Sequence, residues 1–135
     1  MKYSKQYNDI ITVKNLLRAW EEFLHGKRKK KDVILFQANL MDNIFALYDE
    51  LVGKIYRHGG YKCFKISDPK PRIIHKAKVR DRLVHHLLYQ ELYPFFDRQF
   101  IFGSYSCRLN KGTHRAMREF VRIERKASQN NTHNF

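Results

Sequence analysis

Ten cations crowd the stretch from Lys54 to Arg82: Lys54, Arg57, Lys62, Lys65, Lys70, Arg72, Lys76, Lys78, Arg80 and Arg82, against only Asp68 and Asp81. Tyr56, Tyr61 and Phe64 are interleaved with them. Lysine and arginine neutralise phosphates and release the counterions condensed on a nucleic acid, while aromatic rings offer unpaired bases a face to stack on. The combination points to a phosphate backbone as ligand, with Lys62 and Lys65 among the contacts. A solvated cationic face with core aromatics is the plainer alternative. A second basic run, Lys27-Arg28-Lys29-Lys30-Lys31, holds five adjacent like charges that repel one another. It reads as a solvated loop that either orders against phosphates or simply keeps the chain soluble.

Catalytic chemistry has less to work with. Two-metal nucleotidyl transfer needs at least two carboxylates converging on both ions, and the acids here adjoin only as Glu21-Glu22 and Asp49-Glu50, on expected solvent faces of helices. His85 and His86 are neighbours on an expected helix, where successive side chains diverge by about 100° and chelate one metal poorly; one of them is expected to be buried and hydrogen-bonded. Ser104 and Ser106 lack a Gly-x-Ser-x-Gly setting, and no glycine loop of the phosphate-cradling kind occurs. No catalytic residue, metal ligand or cofactor is assigned within this chain.

The elements that must position these side chains fit one domain's length. The chain has 135 residues, 27 Lys plus Arg against 13 Asp plus Glu, a formal charge of +14 and 43% hydrophobic residues. That is enough apolar content for a core, and the charge excess favours a polyanionic partner. Cys63 and Cys107 have no Cys-x-x-Cys spacing and read as free thiols of a reducing compartment. The longest apolar run, Ile44 to Tyr48, falls far short of the ~18 residues a membrane span requires. The expectation is a soluble, cytoplasmic protein with no membrane partner.

Apolar residues at helical spacing predict a helix from Thr12 to His25, capped by Thr12, and a second from about Asp32 to Arg57 that stops at His58-Gly59-Gly60. Alternation over Tyr61–Ile66, turn residues at Ser67-Asp68-Pro69-Lys70-Pro71 and an extended Arg72-Ile73-Ile74-His75 predict a β-hairpin. A helix from about Ala77 to Gln99 follows, bent near Pro94, then a loop from Ile101 to Gly112. The last helix runs from about Thr113 to Ala127, with Arg115, Arg118, Arg122 and Arg125 opposite its apolar side. The fold class is α+β and helix-rich, with a small antiparallel hairpin at about 61–75 between long helices. The polar segment 128–135 reads as a frayed or truncated tail.

Three blocks in this order resemble the N-terminal fingers part of bacterial reverse transcriptases, the RNA-directed DNA polymerases related to group II introns and diversity-generating retroelements. Tyr61–Ile74 resembles the family's fingers hairpin with its Pro-Lys-x-Arg-x-Ile core. Asp81-Arg82-Leu83-Val84-His85-His86 is similar to the family's Asp-Arg-Val-Val-(His/Gln)-His helix. Ser104–Ala116 resembles its Ser-Tyr-x-x-Arg-x-x-(Lys/Arg)-(Gly/Ser)-x-His-x-Ala block. The resemblance covers about Arg57 to Ala116 and implies that 1–127 is an N-terminal extension plus a fingers region.

The resemblance also implies roles. Lys70 and Arg72, on the hairpin turn, would contact the triphosphate of the incoming deoxynucleotide, where an ammonium and a guanidinium neutralise a tetra-anion without occupying a metal site. Arg108, Lys111 and His114, with Arg115 beside them, would meet the template strand. Arg80 and Arg82 would either support the hairpin or touch template. The partners implied are an RNA template, an RNA–DNA hybrid, dNTP, and the palm and thumb of the same polymerase. The family's metal-binding Asp in a strand and its Tyr-x-Asp-Asp pair have no counterpart up to Phe135. The Mg²⁺ of the full-length family enzyme therefore has no site here, and the isolated chain is expected not to polymerise. A stand-alone basic RNA-binding module derived from such an enzyme is the alternative.

Overall fold

In a computed structural model that describes residues 3–129, a single helical turn, α1 (Tyr7–Ile10), leads into α2 (Val13–Phe23). Thr12 caps α2: its backbone is extended, and its hydroxyl accepts the Asn15 N–H at 3.1 Å. That bond satisfies one of the amide donors every helix start leaves open, so Thr12→Ala should lower the unfolding free energy by about 1 kcal/mol in a urea titration. Leu16, Ala19, Trp20 and Phe23 form the buried stripe of α2 at helical spacing. Gly26, at φ 68°, turns the chain out of it in a conformation that side chains resist.

The expected long helix from Asp32 to Arg57 is two helices, α3 (Lys31–Ala38) and α4 (Leu40–Val52). Asn39 (φ −122°, ψ 44°) breaks it, and the Asn43 side-chain amide donates to the Phe36 carbonyl at 2.9 Å. Asparagine competes for backbone bonds and so favours such a break, while the apolar period runs through it unaltered. The second helix also stops early. Lys54 adopts φ 55°, and the N–H groups of Ile55 and Tyr56 both turn back to the Glu50 carbonyl at 3.0 and 3.1 Å.

The hairpin has strands β1 (Tyr61–Ile66) and β2 (Arg72–Ala77), paired antiparallel from Tyr61 opposite Ala77 to Ile66 opposite Arg72. Only Ala77 of its strand residues is buried. Next come α5 (Val79–Asp97), with Pro94 inside it, and α6 (Thr113–Ala127). The fold is thus α+β and helix-rich, with six helices and one two-stranded sheet among the described residues. None of these helices is long and apolar enough to cross a membrane.

The chain divides into two compact units, Met1–Tyr93 and Pro94–Phe135. In the first, Trp20 packs its ring 5.6 Å from Phe23 and 5.1 Å from Phe36, and Val33, Ile44, Leu47, Leu83 and Leu87 are buried in the same apolar cluster. Of the expected tail, 130–135 lies outside the described residues.

Candidate nucleic-acid interface

The hairpin is a cationic projection held at its base. Lys62, Lys65, Lys70 and Arg72 are all exposed, and among the described residues the three lysines have no acidic partner. Arg72 donates to the Asp68 carbonyl at 3.1 Å across the turn. Lys62 faces Lys76 directly across the ladder, a like-charge pair that costs stability unless one member is neutralised elsewhere. Lys76 is: its ammonium sits 2.7 Å from the Asp32 carboxylate in the first turn of α3.

The base of the hairpin is pinned from α5. Asp81 is fully buried, accepts the Tyr56 hydroxyl at 2.7 Å and the Gly59 N–H at 3.2 Å, and lies 3.8 Å from the Arg80 guanidinium. Burial and the bond to Asp81 together push the Tyr56 phenol well above its ordinary range, so Tyr56 remains the donor. A side chain at position 59 would put its Cβ 3.0 Å from both Asp81 Oδ2 and Lys78 Cδ, which is why a glycine stands at this close approach. The last residues before β1 are therefore fastened to the helix that follows β2.

Arg80 and Arg82 are engaged inside the fold. Arg80 grips Glu50 of α4 through two bonds, at 3.1 and 2.5 Å, and lies over the Tyr56 ring. Arg82 bonds Asp32 at 2.5 Å and lies over Phe23. Burial alone would raise the Asp32 carboxyl, but Lys76 and Arg82 outweigh it and hold the group below its usual range. Both arginines thus tie α5 to the helices before the hairpin, and Arg82 shares Asp32 with Lys76 of β2. Glu91, also buried, accepts Lys5 and Arg18, the latter at 2.8 Å.

In the second unit, Arg108 organises the loop before α6. It reaches Asp97 Oδ1 at 2.7 Å, the Asp97 carbonyl at 2.8 Å, and the carbonyls of Ile101 and Ser104 at 3.2 Å. Lys111 donates to the Phe102 carbonyl and stands over the Phe102 and Tyr105 rings, at 4.4 and 4.7 Å. Desolvation, then the nearby Arg108 and Arg115, pull its pKa down. His114 and Arg115 are exposed, with Arg115 also donating to the Asn110 carbonyl at 2.8 Å. Arg108 is thus tied into the loop, and the exposed cations here are Arg115, Arg118, Arg122 and Arg125 of α6. No residue of α6 is buried, so its Met117, Phe120 and Val121 form an uncovered apolar face.

The expectation that one of the paired histidines is buried and hydrogen-bonded is corrected. His85 is exposed and stacks on His58 at 5.2 Å; His86 is half-buried, with its Nε2 lacking a hydrogen-bond partner and 4.0 Å from Glu22. Burial lowers the His86 pKa. Among the described residues no three His, Cys, Asp or Glu side chains are grouped to hold a metal. Asp32, Glu50, Asp81 and Glu91 are each bonded to a cation or a tyrosine. No protein-family model and no curated protein sequence matches the chain.

Proposed function

We propose that this chain is the fingers region of an RNA-directed DNA polymerase, meeting the incoming deoxynucleotide at the hairpin turn and template RNA along the hairpin and the loop before α6. The observation that carries the reading is the hairpin: six paired residues per strand, of which only Ala77 is buried, with Lys70 at the turn lacking an acidic partner among the described residues and Asp81 fastening the base. A turn held out from a fixed base suits a polyphosphate ligand. The uncovered apolar face of α6 supports a further part of the same polymerase packing there, as its palm would. Polymerisation itself belongs to carboxylates outside this chain.

Two measurements test the proposal. The reading frame downstream of codon 135, allowing one frameshift, should encode a strand bearing Asp and then a Tyr-x-Asp-Asp hairpin; a frame without them overturns the polymerase assignment. In a full-length polymerase containing this chain, Lys70→Ala with Arg72→Ala should raise the KM for dNTP about 10-fold or more, the loss expected for charge-assisted contacts. An unchanged KM removes both residues from the nucleotide contact. The self-contained apolar cluster of α2, α4 and α5 favours a second reading, a stand-alone RNA-binding module, which the downstream frame also decides.

A further inference from the structure

A cleft of about 950 Å³ opens between the start of α3 and the base of the hairpin, within the first compact unit. Five lysines line it, namely Lys30, Lys31, Lys62, Lys76 and Lys78, against one acid, Asp32. Asp32 is already committed to Lys76 and Arg82, so the other four lysines lining the cleft have no acidic partner among the described residues. Such a cluster is costly alone, because like charges around a low-dielectric wall reinforce one another until an anion enters. The walls between the lysines are apolar or flat: Leu35 and Tyr61 line the cleft at 64% and 56% exposure, and the Tyr61 ring is steadied by stacking on His58 at 5.0 Å. The first turn of α3 opens here with no side chain capping it.

Phosphates alone would need only the lysines. A ligand that joins several phosphates to a flat apolar body uses the whole lining, and a nucleotide is that chemistry. We propose that this cleft binds nucleotide, taking phosphates on Lys30, Lys31, Lys62 and Lys78 and the base against Tyr61 and Leu35. It is distinct from the turn: five residue steps along β1 at about 3.4 Å each separate Tyr61 from Ile66, so Lys70 lies beyond about 17 Å of strand. The nucleotide comes either free, as a triphosphate, or as one unit of a single strand. The site stands on the cleft's own geometry and does not depend on the polymerase reading.

The test uses the 135-residue chain with two probes, a fluorescent ATP analogue and a short labelled single-stranded RNA, titrated over a range of salt. Lys62→Ala with Lys78→Ala should weaken at least one probe about 10-fold and reduce its log–log salt slope by about 2, one per lost phosphate contact. Lys14→Ala with Lys126→Ala, which removes the same charge from exposed sites on α2 and α6, should leave both nearly unchanged. Lys62→Arg with Lys78→Arg should retain binding and so separates charge from misfolding. Tyr61→Leu should weaken binding about 5-fold or more with the slope unaltered, the mark of lost stacking. Loss with both probes identifies free nucleotide as a ligand; loss with RNA alone identifies the strand. Equal effects of the cleft and control pairs, no effect of either, or a Tyr61→Leu variant that binds like the parent would overturn the proposal.

Discussion

Raising salt from 50 to 200 mM is expected to weaken binding of a primer-template duplex to the 135-residue chain by about 10³, the loss for roughly six neutralised phosphates. The structure offers enough free cations beside the hairpin for that number. Of the 27 lysines and arginines, several are spent internally: Lys76 and Arg82 on Asp32, Arg80 on Glu50, Arg18 and Lys5 on Glu91, Arg108 on Asp97 and Arg122 on Glu119. Lys30, Lys31, Lys62, Lys65, Lys70 and Lys78 are exposed on the hairpin and the adjoining start of α3, with no acidic partner among the described residues. Their charge is available to phosphates at no cost in broken ion pairs. A filter-binding or fluorescence titration at several salt concentrations reads the slope directly. A slope near zero would show that the ligand is held by apolar surface instead, and the cationic hairpin would lose its role.

What was legible in the sequence follows from how local each signal is. The hairpin strands lie where alternation and the Ser67–Pro71 turn residues place them, with β2 running two residues further than His75, and Thr12 and the last helix also stand as expected. Period-two alternation and capping are decided within a few residues. The interruption at Asn39 was not legible, because the apolar spacing is the same for one helix or for two that bury the same side. Nor was the division of labour among the arginines. Whether Arg80, Arg82 or Arg108 meets a phosphate or an internal carboxylate depends on acids 30, 50 and 11 positions away. Asp81 was the least visible of all: one acid among ten cations reads as diluted charge, and its partners lie 25 and 22 positions upstream. The faint signal was Gly59, a small residue where a backbone must pass close to a side chain.

Asp81→Ala is expected to cost about 3 kcal/mol of folding stability, the range for removing one partner of a buried, hydrogen-bonded charge. Three groups lose by it. The Tyr56 hydroxyl, at 2.7 Å, and the Gly59 N–H, at 3.2 Å, are left without an acceptor, and Arg80 loses a nearby countercharge. Against the marginal stability of a domain this size, such a change shows as a clear fall in the urea midpoint with little change in slope. Tyr56→Phe removes one of the bonds and should cost about 1 kcal/mol. The double variant should cost less than the sum, because the two side chains share the interaction. The functional consequence is local. With the approach to β1 no longer tied to α5, the hairpin amides should exchange with solvent faster than those of α4, and Lys70 would no longer be carried at a fixed place. If Asp81→Ala proved neutral in stability and left hairpin exchange unchanged, the hairpin would be positioned by Arg80–Glu50 and Lys76–Asp32 alone, and the central place given to Asp81 would be wrong.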